Sequence, residues 1–136
     1  MKILNELPPI YDAILANGMH PTSTVVYTYG DTLYNPSGAE ISEHLMCHEE
    51  THSHQQGSNP DAWWGRYLID PFFRLKEEAE AYANQYDFIC LTVKDRNRRY
   101  FVLNDLASHL ASPIYGDVIS KDTARKLIKN KSKTQP

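Results

Sequence analysis

Residues 48–52 read His-Glu-Glu-Thr-His, and this pentapeptide constrains the chain more than any other feature. Residues four apart on a helix stand one turn above each other on one face, so a helix here brings two imidazoles to one point. Two histidines so placed can share a tetrahedral zinc ion. Glu49 reaches the edge of the same face, where it can take a proton from water rather than bind the metal. The chain's own His and Glu frequencies give roughly 0.015 chance matches to such a pattern, which makes accident a poor explanation. The competing explanation is a polar helix face rich in histidine, since His44 and His54 flank the motif. That reading gives no reason for Glu49.

The flanks supply helix boundaries. Ser37-Gly38-Ala39-Glu40 has the form of a capping box and predicts a helix start there. Gly57-Ser58-Asn59-Pro60 predicts its end near residue 55. Asn59-Pro60 and Asp70-Pro71 each read as an N-cap followed by proline at the first helical position, opening helices over about 60–69 and 71–92.

A zinc site that keeps one position open needs three protein ligands. A third histidine of the metzincin type is excluded, because Gln55 and Ser58 stand where glycine and histidine would be required. Residues 77–82 read Glu-Glu-Ala-Glu-Ala-Tyr and offer three carboxylates, Glu77, Glu78 and Glu80. Glu78, Ala81 and Tyr82 form Glu-x-x-Ala-Tyr, with Gln85 on the next turn, and the small Ala81 would let this helix pack closely on the first. The stretch resembles the glutamate helix of the gluzincin class of zinc peptidases, especially its small prokaryotic and phage-encoded members.

The resemblance covers about residues 33–86. It implies a zincin-like minimal domain in which the motif helix packs on the glutamate helix. It implies a Zn2+ cofactor held by His48, His52 and Glu78, Glu49 as general base and acid, and a peptide or protein substrate. It also implies that the segment from Val25 to Tyr34 pairs with an extended substrate, the other reading of that segment being a plain core strand. Tyr115, or else His109, is the candidate oxyanion donor. One departure stands out: many gluzincins carry Asp or Asn where this chain has Tyr82, as a partner to a metal-binding histidine.

The remaining chain reads as one domain over 1–130 and a flexible basic tail over 131–136. Residues 10–16 predict a short helix ending at Asn17-Gly18. Residues 24–29, β-branched and aromatic, predict a strand, with a second short one at Thr32-Leu33-Tyr34. Asp95 to Arg99 reads as a polar break, residues 100–111 as a helix, and Ser120 as the cap of a last helix through Lys129. The fold class is therefore α+β, mainly helical, with a small N-terminal sheet. Trp63, Trp64, Tyr67, Phe72 and Phe73 read as core or pocket wall, Arg74 as partner to a helix carboxylate, and Cys47 as a small buried residue.

The formal net charge of -3 argues against a nucleic-acid partner bound by bulk charge. No apolar stretch has the length of a signal peptide or a membrane span, so the expected location is cytoplasmic and no membrane partner is expected. Two other functions fit the same motif. One is a non-catalytic, zinc-stabilised binding or regulatory module. The other is a zinc amidase acting on peptidoglycan.

Overall fold

The motif helix begins at Ser42 rather than at Ser37. In the computed structural model, which describes residues 1–134, the Ser42 hydroxyl accepts from the Leu45 N–H and opens α2 (Glu43–Gln56). Ser37 instead sits in a turn: its hydroxyl accepts from the Ala39 N–H, and Gly38 takes the left-handed conformation (φ 70°) that suits glycine. Gly57 (φ 57°) ends α2 where the sequence predicts a stop.

The two proline-led helices follow as expected. Asn59 caps α3 (Pro60–Ile69) by accepting from the Ala62 N–H, and Asp70 caps α4 (Pro71–Cys90) by accepting from the N–H groups of Phe72 and Phe73. The polar stretch at Asp95 is a cap rather than a break. Its side chain accepts from the Asn97 N–H, so α5 (Arg96–Leu110) starts four residues earlier than the sequence suggests. A 3-10 turn at Pro113–Tyr115 precedes α6 (Lys121–Lys131), capped by Ser120.

The sheet is small, with order β1-β3-β2: β1 (Lys2–Leu4), β2 (Tyr27–Tyr29) and β3 (Thr32–Tyr34). The short helix α1 (Tyr11–Ala16) links the first two. β2 is three residues long and not the six expected over 24–29. Its antiparallel partner β3 supplies only three residues before Asn35 turns to bond Leu4, and Val25 closes a turn onto Thr22. Gly30 (φ 62°) takes the first position of the two-residue hairpin turn, a place that asks for positive φ. The parallel pairing of β1 with β3 has no counterpart in the sequence reading.

Helix α4 is the centre of the molecule. One face joins α5 and α6 in a core built on Ala79, Ala83, Tyr86, Leu106, Leu110 and Ile128. Its other face packs on α2, with Ala81 fully buried. A second apolar cluster joins α1, β2 and α3 around Ile14, Tyr27, Trp63, Trp64, Tyr67 and Leu68. Phe73 packs against that cluster, but Phe72 is 74% exposed, one position round the helix, and is no part of the core. Arg74 is buried and meets no carboxylate: its guanidinium donates to the carbonyls of Tyr67, Leu68 and Tyr115. It thereby ties the end of α3 to the 3-10 turn. Cys47 is half-buried and donates to the Asn84 carbonyl, and neither it nor Cys90 forms a disulfide. Among the described residues, no helix is long and apolar enough to cross a membrane.

The stretch expected to be a flexible tail is helical at Lys131 and anchored beyond it. The Asp87 carboxylate accepts from the Ser132 hydroxyl (2.5 Å) and from the N–H groups of Lys133 (2.9 Å) and Thr134 (3.1 Å). Residues 135–136 of that tail lie outside the described residues. Burial alone would raise the Asp87 carboxyl, but these donors outweigh it and hold it below the usual carboxylate range. A depressed native pKa stabilises the fold above the unfolded value, near ~3.9, and that contribution is lost as pH falls through the native value. Asp87→Asn should therefore cost about 1 kcal/mol at neutral pH, the charged bonds being discounted for partial exposure. The deficit should shrink below about pH 4 in denaturant titrations.

Candidate metal centre

Five residues of α2 are buried, and all five are polar: His48, Glu49, Thr51, His52 and Gln56. A surface helix ordinarily turns an apolar stripe inward, so this face is held by hydrogen bonds instead. Asn84 of α4 donates to the Thr51 hydroxyl, which itself donates to the Cys47 carbonyl. Gln56 donates to the Thr28 carbonyl and accepts from the Gly30 N–H, while Ser53 donates to the Gly30 carbonyl. Every described buried side-chain nitrogen or oxygen finds a partner.

The two histidines meet Glu78 of α4. Glu78 Oε1 lies 3.2 Å from His48 Nε2 and 3.0 Å from His52 Nε2. One ligand atom from each of the three lies within 4.8 Å of the others, and all three residues are buried. Glu78 Oε2 accepts from the Tyr67 hydroxyl, which α3 delivers. The rival glutamates point elsewhere. Glu77 accepts from the Trp63 indole, and Glu80 is exposed and accepts from Gln55.

Hydrogen bonds fix which ring nitrogen of each histidine faces Glu78. Gln55 spends its N–H groups on the Glu77 carbonyl and the Glu80 carboxylate, so its carbonyl oxygen faces His52 Nδ1 at 2.8 Å. Gln85 presents its oxygen to His48 Nδ1 at 3.0 Å and its nitrogen to His44 Nδ1 at 2.9 Å. With hydrogen on both Nδ1 atoms, each ring turns its Nε2 toward the carboxylate, the orientation a metal ligand needs. Two imidazole nitrogens and a carboxylate converging on one buried point suit a shared cation, a metal ion or a proton. A tetrahedral ion about 2.0–2.1 Å from each ligand would set neighbouring ligand atoms about 3.3 Å apart, and the two Nε2–Oε1 spacings of 3.2 and 3.0 Å lie near that. The residues thus fit a metal ion.

A proton answers the same demand when no metal is bound. Burial works to lower His52, yet the Glu78 carboxylate outweighs it and pushes His52 up to about 9. Burial would likewise raise Glu78, but the two imidazoles hold it well below the carboxylate range. Glu49 goes the other way: burial raises it, against the opposing pull of His48 and His52. The two neighbouring carboxyl groups are thus shifted in opposite directions by their surroundings.

No protein-family model, curated protein or solved structure matches this chain.

The site borders two spaces that share part of their lining. A small cavity of about 80 Å³ is walled by Trp63, Trp64 and Tyr67 beside His48, Glu49, His52 and Glu78. An open groove of about 600 Å³ meets it at His48, Glu49, Val25, Val26, Ile114 and Tyr115. Tyr115 is thus carried to the site, its hydroxyl 2.7 Å from that of Tyr82. His109 lines the groove but is exposed and faces Asp105 at 3.7 Å. Tyr82 sets its ring edge-on to His48, 4.5 Å between centres, and does not hydrogen-bond it.

The sequence reading missed the partners of His48, His52, Glu78 and Glu49. Gln85 does for His48 what an acid after Ala81 would do, Gln55 does it for His52, and Tyr67 and Thr28 bond Glu78 and Glu49. Only Gln85, two turns after Glu78 on one face, left a signal in the spacing. The edge of β2 also differs from the expected open strand. The hairpin register turns the backbone of Thr28 and Gly30 outward, and Gln56, Ser53 and Trp64 already occupy those groups. Pairing by an extended ligand is left to the Val25–Val26 end, which lines both spaces, while Tyr27 lines the small cavity alone.

Proposed function

We propose that this chain is a zinc-dependent hydrolase with a zincin-like site that cleaves peptide bonds. The observation that carries the reading is the convergence of His48, His52 and Glu78 at one buried point, with Glu49 lining the same cavity. Two imidazole nitrogens and one carboxylate suit zinc, a borderline cation, and leave a coordination position open. Zinc held there would supply Lewis acidity and make a water molecule easier to deprotonate.

The chain's own residues do the rest. Glu49, held by the Thr28 hydroxyl at 3.2 Å, accepts the proton of the attacking water and returns it to the departing amine. Its raised carboxyl is the more effective base near neutral pH. The Tyr115 hydroxyl, kept protonated by burial, donates toward the carbonyl oxygen as negative charge develops. Gln55 and Gln85 hold the imidazoles in the tautomer the ligand role needs. A polypeptide fits the layout: backbone along the groove, one side chain in the aromatic-walled cavity.

The test is to purify the chain without a histidine tag, measure zinc by elemental mass spectrometry, and incubate it with unfolded protein and with cell-wall peptides. One zinc per chain and metal-dependent cleavage of the unfolded protein are expected. Absence of zinc after reconstitution overturns the reading. Cleavage of cell-wall crosslinks alone moves it to an amidase, and stoichiometric zinc with no cleavage moves it to a zinc-stabilised binding module.

A further inference from the structure

The modest net charge of the whole chain hides a strong segregation. Residues 94–133 carry ten basic and four acidic side chains, net +6, while residues 1–93 carry four basic and thirteen acidic, net -9. Half of those ten basic side chains gather in one feature. α5 and α6 enclose a groove of about 640 Å³, in the size range of pockets that take organic ligands. Arg96, Arg99, Arg125, Lys126 and Lys129 line it, and among the described residues no acidic side chain does. Asp122, at the start of α6, pairs with Arg125 and Lys126 but lies outside the lining.

Charge alone would suit any anion. The groove also carries an aromatic surface. Tyr100 is 57% exposed within it, and the Arg125 guanidinium stands 5.9 Å from its ring centre. Lys129 lies 5.7 Å from the centre of the ring of Tyr86, a buried α4 residue that also lines the groove. A large aromatic left in water beside a planar guanidinium is a platform on which a nucleobase can stack, and the surrounding cations suit a phosphate backbone. An acidic peptide would use the cations and gain nothing from the open ring. Duplex nucleic acid would shield its bases from it.

We infer that the α5–α6 groove binds single-stranded nucleic acid, with Arg96, Lys126 and Lys129 on phosphates and Tyr100 under a base. This site is separate from the metal centre and does not rest on the hydrolase reading.

The test is fluorescence anisotropy of labelled oligothymidylate and oligouridylate against the full chain over a range of salt. Binding should weaken with salt with a log–log slope of about -2, each phosphate contact on a single strand contributing roughly -0.7. The triple variant Arg96→Gln, Lys126→Gln, Lys129→Gln should lose tenfold or more in affinity and flatten the slope. Tyr100→Ala should lose about tenfold with the slope unchanged, because stacking does not depend on counterions. A Lys2→Gln, Lys76→Gln control should bind as the parent does, and circular dichroism checks that each variant folds. The two oligomers distinguish a DNA from an RNA preference. No binding at low salt overturns the inference. So does equal binding by the triple variant, tighter binding of duplex, or indifference to Tyr100→Ala with full displacement by polyglutamate, which would mark a site for acidic protein.

Discussion

Glu49→Gln is expected to keep the metal and the fold and to lower peptide hydrolysis by about 100- to 10,000-fold, the usual worth of a positioned general base. Glutamine has nearly the same shape and can still accept from the Thr28 hydroxyl, so the cavity wall should not move. It cannot take a proton from water. Burial already disfavours the charged form of Glu49, so a neutral amide should leave the thermal midpoint unchanged or raise it. Zinc content by elemental analysis, calorimetry and a cleavage assay read the three consequences together. Full activity in Glu49→Gln would remove the hydrolase reading even if zinc is bound.

Glu78→Ala is expected to have the opposite profile, losing zinc and stability together. The variant leaves two protein ligands, too few to retain the ion through gel filtration. It also strips the buried Tyr67 hydroxyl of its acceptor, a cost of about 1–3 kcal/mol. Glu77→Ala and Glu80→Ala should keep one zinc per chain, because their carboxylates face Trp63 and Gln55. Zinc added to the parent chain at a hundred times its dissociation constant should stabilise it by about 2.7 kcal/mol, a rise of about 10 °C in a domain of this size. Zinc retained in Glu78→Ala but lost in Glu77→Ala or Glu80→Ala would transfer the ligand role. A parent chain whose midpoint ignores zinc would argue against the site altogether.

Helix α2 shows why part of this site could be read from the sequence. Its buried face is His48, Glu49, Thr51, His52 and Gln56, a violation of the apolar pattern that a helix packed on a neighbour should show. Local rules broken without an apolar gain tend to mark function. The same polar face makes α2 hard to bound from sequence. No hydrophobic stripe marks its first turn, so two serines five residues apart, Ser37 and Ser42, compete as caps. The turn at Gly38 decides between them.

What the sequence by itself determined is what one turn of chain can encode. The four-residue spacing of His48 and His52 places them on one face of any helix. Asn59-Pro60, Asp70-Pro71 and Ser120 start their helices through bonds to residues two or three positions on. Everything between distant segments was left to the packing of the whole chain. Successive residues of α4 point about 100° apart, so which of Glu77, Glu78 and Glu80 meets the histidines depends on how α4 is rotated against α2. That rotation follows from burying Ala79, Ala83 and Tyr86 against α5 and α6 on the opposite side. The pairing of β1 with β3 joins residues some thirty positions apart, and Tyr67, Gln85 and Tyr115 reach the site from three separate elements. Such contacts depend on packing the whole chain at once, which no local period or cap records.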